Sequence, residues 1–144
     1  LAVGDLNGDG RPDLAACAGS KLLLLSNQGG GRFSIQACDL GPGAQSQYLA
    51  CHDLDGDGKA EVAISDLGRE ALHYWRNGQL QTLACGHVPW SVDMADADGD
   101  GRADVLVPLV RQSNLLLYWG QPDGSLSSPL SLNIDPNRPA PARP

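Results

Sequence analysis

The sequence predicts an all-β fold of three four-stranded antiparallel sheets, and three observations point to it. One nine-residue acidic loop is written three times: DLNGDGRPD at residues 5–13, DLDGDGKAE at 53–61 and DADGDGRAD at 96–104. The copies start 48 and 43 residues apart, a period that marks stacked supersecondary units. The flanks are short runs rich in Leu, Val, Ile and Ala, and runs of that length read as buried strands rather than helices.

The strands follow in order. A first strand precedes each loop, at residues 1–4, 49–52 and 92–95. A second begins at Leu14, Val62 or Val105, in the runs LAAC, VAIS and VLVP. The third is KLLLLS from Lys21, ALHYWR from Ala71 and LLLYW from Leu115. Turns rich in Gly, Asn or Asp come next (NQGGGR, NGQ and QPDGS), and such residues supply the backbone conformations that tight turns need. A fourth strand starts near Phe33, Leu80 and Leu126. Four short antiparallel strands repeated along a chain are β-propeller-type blades, expected at about 1–47, 48–90 and 91–134. The remainder, DPNRPAPARP at 135–144, holds four prolines in ten residues. It suits an extended linker or a wrapped arm rather than a helix or central strand.

Each loop is a set of oxygen ligands for a hard cation. Side-chain oxygens stand at positions 1, 3, 5 and 9: Asp5, Asn7, Asp9 and Asp13; Asp53, Asp55, Asp57 and Glu61; Asp96, Asp98, Asp100 and Asp104. Position 7 is Arg11, Lys59 or Arg102, so it can offer only its carbonyl. Calcium takes six to eight oxygens of this kind. Gly10, Gly58 and Gly101 follow the third ligand, where the chain turns sharply. No Cys or His stands among the ligand positions, which argues against zinc or copper. An EF-hand shares the opening of the motif but needs a Glu at position 12 and flanking helices; position 12 here is Ala16, Ile64 or Val107. Acidic surface turns without metal are the plainer alternative, and three copies with every ligand position filled weigh against it. Three Ca²⁺ sites are expected.

Charge agrees. The 144-residue chain has 17 acids and 10 bases, a net −7, and eleven of the acids lie in the three loops. Three divalent ions bring the net charge to about −1. Without them, three or four like charges crowd within a few Å in each loop. No basic stripe suggests nucleic acid, and no apolar run is long enough for a membrane helix. No Ser/His/Asp constellation or nucleophile elbow is present, and the acids belong to repeated cages, so no catalytic residue is assigned and an enzyme is not expected.

The strand, the D-x-[DN]-x-D-G-x-x-[DE] loop and the apolar strand after it resemble the FG-GAP/VCBS repeats, the blades of integrin α-subunit heads and of many secreted bacterial proteins. The family's later N-G-D-G-T-F turn is echoed at residues 27–33 and 121–126. The resemblance covers about residues 1–134. It implies calcium held by the side chains at positions 1, 3, 5 and 9 and the carbonyl at position 7, and an extracellular setting, secreted or on a cell surface. Two departures stand out: Asn7 gives the first loop one charge fewer, and the turn at 77–80 lacks its Gly-Asp part. Closed propellers have about four to eight blades, so three imply further blades of a longer protein or copies of this chain in a ring or fibre.

The expected function is a structural or adhesive interaction scaffold whose partners are further blades, copies of itself, or a protein or glycan ligand. The alternatives are a lectin-like propeller and a non-catalytic part of a polysaccharide-degrading enzyme. Trp75, Trp90 and Trp119 are candidates for sugar stacking, but aromatics more often supply core area, here between blades. Cys17, Cys38, Cys51 and Cys85 are even in number. Cys17 and Cys38 fall on second and fourth strands, about 9.6 Å apart and beyond disulfide reach, so buried thiols are the expectation. His52, His73 and His87 share no repeat position.

Overall fold

The computed structural model describes residues 1–137, so most of the proline-rich tail lies outside the described residues. Among the described residues the elements are strands, twelve in all: β1 (Ala2–Gly4), β2 (Asp13–Ala18), β3 (Lys21–Asn27), β4 (Phe33–Asp39), β5 (Ser46–His52), β6 (Glu61–Asp66), β7 (Ala71–Arg76), β8 (Gln79–Ala84), β9 (Asp93–Ala95), β10 (Asp104–Leu109), β11 (Asn114–Tyr118) and β12 (Leu130–Asn133). They form three antiparallel sheets in the orders β1-β2-β3-β4, β5-β6-β7-β8 and β9-β10-β11-β12. These are unclosed, propeller-type blades. No helix of the described residues is long and apolar enough to cross a membrane.

Pairing explains why the acidic loops are loops. Gly4 pairs with Asp13, His52 with Glu61 and Ala95 with Asp104. Each loop is therefore the connection between first and second strands, with its position 9 as the first residue of the ladder. The shorter connection of β7 to β8 is a two-residue turn closed by the pair Arg76 and Gln79. Asn77 and Gly78 both adopt positive φ, 47° and 81°, the geometry whose twist matches that of the flanking strands.

Side-chain alternation sorts the middle blade's residues between two cores. Val62, Ile64 and Trp75 face the first blade and pack with Leu6, Ala15, Leu22, Leu24 and Leu40. Ala63, Leu72 and Tyr74 face the third blade and pack with Val92, Val105, Val107, Leu116 and Tyr118. Covered on both faces, every residue of β6 is buried, whereas β4 and β12 at the rims are largely exposed. Trp75, Tyr74 and Tyr118 are thus interblade fillers, and Trp90 is 55% exposed.

Cys17 and Cys38 both lie opposite Leu22, two strand spacings apart, and all four cysteines are free thiols. The fourth strand of the last blade differs from expectation. Leu126 makes only an isolated bridge to Gly120, and the ladder resumes at Leu130 opposite Leu117. Between them the Ser127 hydroxyl accepts the Trp119 amide at 3.0 Å, and Pro129 has no N–H to donate.

One buried hydrogen-bonded pair fastens the middle blade to its connector. His73 Nε2 donates to Asp66 Oδ2 at 2.9 Å, with both side chains fully buried; a carboxylate only accepts, so this nitrogen holds the hydrogen. The other ring nitrogen meets the Thr82 hydroxyl at 2.9 Å. Asp66 Oδ1 accepts the amides of Gln45, Gly68 and Arg69. Burial opposes ionisation of Asp66, but the Gln45 amide, the His73 ring and the Arg69 amide hold its carboxyl below the ordinary value of 3.8. Its stabilisation is therefore present above that value and is lost as pH falls through the lower folded one. Asp66→Ala strands the buried imidazole without its acceptor, and a loss of about 3 kcal/mol is expected in denaturant unfolding. A loss well under about 1 kcal/mol would show the network to be dispensable.

Candidate metal centres

The loops curl because their amides turn inward onto their own acids. Asp5 Oδ1 accepts the amides of Gly8 at 2.7 Å and Asp9 at 3.2 Å, and its Oδ2 accepts Gly10 at 2.7 Å. Asp53 takes Gly56 and Gly58 in the same way, and Asp96 takes Gly99, Asp100 and Gly101. Positions 4 and 6 both need positive φ: 77° and 81° at Gly8 and Gly10, 77° and 85° at Gly56 and Gly58, 82° and 88° at Gly99 and Gly101. The motif reading singled out position 6 alone; the glycine at position 4 in every copy was the available signal for the other.

The acids converge in two of the three loops. Asp53, Asp55 and Asp57 each place a carboxylate oxygen within 4.8 Å of the others, and so do Asp96, Asp98 and Asp104. The fourth acids carry partners of their own. Asp100 pairs with the Arg102 guanidinium, and Glu61 Oε2 accepts the Leu54 amide at 2.9 Å. In the first loop Asp9 is held by Arg11 at 2.6 Å, Asn7 accepts the Asp9 amide at 2.9 Å, and the three carboxylates form no such group. The position-7 side chains lie along the loops: Arg11 and Arg102 donate to the carbonyls of Asn27 and Gly120, and Lys59 runs beside Gly8.

The buried position-9 acids anchor the cages to the sheets. Asp13 accepts the Leu6 amide at 3.1 Å and the Asn27 amide at 2.7 Å. Asp104 accepts those of Ala97 and Gly120, both at 2.9 Å. Glu61 is one methylene longer. It keeps the Leu54 contact, and its other oxygen lies 3.9 Å from Arg76 Nε.

Electrostatics fit a cation. The amides of Gly101 and Gly99 hold the Asp96 carboxyl below its ordinary value. Asp5 carries a desolvation cost, yet the amides of Gly10, Gly8, Asp9 and Asn7 hold it low as well. Glu61 goes the other way. Burial, with Asp55 and Asp57 nearby and against the opposing Leu54 amide, pushes it up to about 7. A divalent ion among these oxygens favours the ionised form of each acid. An all-oxygen set in glycine-turned loops suits calcium rather than a thiol- or imidazole-seeking metal.

Position-by-position reasoning missed Arg76, whose Nη2 lies 2.5 Å from Asp55 Oδ2. It missed the Asp66–His73 pair too, since neither recurs in the other repeats. It also missed Tyr48, whose ring sits 6.5 Å from that of Trp90 in an exposed, tilted pair.

The model of the FG-GAP-like repeat matches residues 5–64 and again 53–107. Among solved structures, the Photorhabdus luminescens Tc holotoxin pore is similar over 94% of this chain at 21% identity and a TM-score of 0.46. This chain spans 7% of that one. No curated protein matches the sequence. The two overlapping repeat matches cover most of the chain, which belongs to the FG-GAP-like repeat family.

Proposed function

We propose that the protein is a calcium-loaded blade module of an extracellular structural or adhesive scaffold. The observation behind this reading is the convergence of three carboxylates in each of two glycine-turned loops. Calcium is held by side chains at positions 1, 3, 5 and 9 and by the carbonyls of Arg11, Lys59 and Arg102. The ions offset the repulsion within each loop and stiffen the connection between first and second strands. Neighbouring blades or further copies of the chain cover its end faces. Millimolar calcium outside the cell suits sites of this class.

Calorimetric titration with calcium tests the reading, and three ions per chain are expected. Absence of binding at millimolar calcium refutes it. The sites should also differ. Asp57→Ala removes one of four charged ligands, whereas Asn7→Ala removes a neutral one, so the first substitution should weaken its site more. Equal affinity losses in the two titrations would contradict that ranking.

The exposed Tyr48–Trp90 pair supports a second reading, a glycan-binding face, because sugar rings stack on aromatic surfaces. Loss of glycan-array binding in Trp90→Ala, with calcium binding intact, would favour it.

A further inference from the structure

The joint between the second and third blades is built differently from the joint between the first and second. Arg76 leaves the end of β7 and its Nη2 donates to Asp55 Oδ2 at 2.5 Å. Against the guanidinium and Asp55 Oδ2 alike lies Gly124, in the 121–125 turn of the third blade. A Cβ there would overlap both Arg76 Nε and Asp55 Oδ2. The Gly124 carbonyl accepts the buried Tyr74 hydroxyl at 2.9 Å. That turn closes on itself, with the Gln121 amide donating to Ser125 O at 2.9 Å and the Gly124 amide to Gln121 O at 2.8 Å. A ligand of the second loop, a cation from β7 and a turn of the next blade are therefore in one contact.

The first joint lacks this arrangement. Leu25, Trp75 and Tyr118 hold the same place in register, opposite Leu14, Val62 and Val105. The residues after them are Ser26, Arg76 and Trp119, so the cation is present once. The second blade's turn is the two-residue Asn77–Gly78, shorter than that of the third. At the first joint a cavity of about 370 Å³ is lined by Asn7, Ser26, Asn77 and Gly78 among others.

We propose that Arg76 is a positioning residue that holds Asp55 for the ion of the second loop and couples that ion to the joint between the second and third blades. The inference rests on calcium occupying the loops. Asp55 Oδ1 accepts the Asp57 amide at 3.1 Å within the loop, and its Oδ2 is held by Arg76. An ion that orders the loop fixes Asp55, and through it the guanidinium and the turn packed on it. Residues that orient metal ligands in this way are commonly worth 10–100-fold in metal affinity.

Amide hydrogen exchange in calcium and in chelator, on the wild type, Arg76→Met and Arg76→Lys, tests the proposal. In the wild type calcium should slow exchange in residues 53–61 and in residues 121–125, but should leave the 77–78 turn unchanged. Arg76→Met should keep protection of 53–61 at saturating calcium and lose at least about tenfold of it in 121–125. Arg76→Lys, which retains one cationic donor, should recover part of the loss. Calcium protection of 121–125 that is equal in wild type and Arg76→Met overturns the proposal. Absence of protection at 53–61 in the wild type overturns the calcium reading as well, so the two failures are distinct. If Arg76→Met fails to fold, Arg76→Gln keeps a polar side chain there and removes the charge. It should weaken one of the sites about tenfold in calcium titration and leave the others alone; unchanged affinities overturn the proposal.

Discussion

Chelating calcium from the purified protein is expected to lower its thermal midpoint by about 12–16 °C. An ion that binds only the folded chain adds about 1.4 kcal/mol per site at tenfold its dissociation constant, or about 4 kcal/mol over three sites. For a chain of this length each kcal/mol shifts the midpoint by roughly 3–4 °C. The sequence adds a second reason. Eleven of 17 acids sit in the loops, and the repulsion among them returns when the ions leave. Glu61, pushed up to about 7 in its buried place, is the acid whose ionised form gains most from a nearby cation. Scanning calorimetry in calcium and in excess chelator is the measurement, and an unchanged midpoint refutes the expectation.

Much of this architecture was legible because the loops leave little choice. Oxygen-bearing side chains at positions 1, 3, 5 and 9 and a glycine at each positive-φ turn specify both a cage and a chain reversal, and the short apolar runs beside them mark the flanks as strands. Periodic apolar runs such as those at Lys21 and Ala71 then located the third strands. What was not legible depends on pairs distant in sequence. Arg76 and Asp55 are 21 residues apart, Tyr74 and Gly124 are 50 apart, and only the fold brings them together. The extra methylene of Glu61 was visible, but its consequence depends on where Arg76 sits. The late start of β12 was hidden for a similar reason: Ser127 competes for the Trp119 amide through its side chain, and apolar patterning does not register a hydroxyl.

Isolated copies of this chain are expected to associate head to tail, and Ile35→Lys should weaken that association by about 10- to 150-fold. Inside the molecule each blade offers one face to its predecessor and the other to its successor. Val62 and Trp75 of the second blade and Val105 and Tyr118 of the third are the predecessor-facing residues, and all are buried. Their counterparts in the first blade form one cross-strand row, Val3, Leu14, Leu25 and Ile35. That row is uncovered, with Val3 57% and Ile35 67% exposed. At the other end the successor-facing residues Leu106, Leu117 and Leu130 are in register; Leu117 is buried, and Leu130 and Leu132 at the outer strand are 44% and 37% exposed. The two end faces are thus the two halves of a joint that the chain already makes twice. Contacts of that kind are heterologous and give a ring or a filament according to their rotation. Burying an Ile side chain contributes about 1.5–3 kcal/mol, which sets the expected loss for a charge placed at the exposed end of the row. Sedimentation velocity over a range of concentrations reads the outcome. A wild-type chain that stays a soluble monomer at every concentration would show that these faces do not recognise one another.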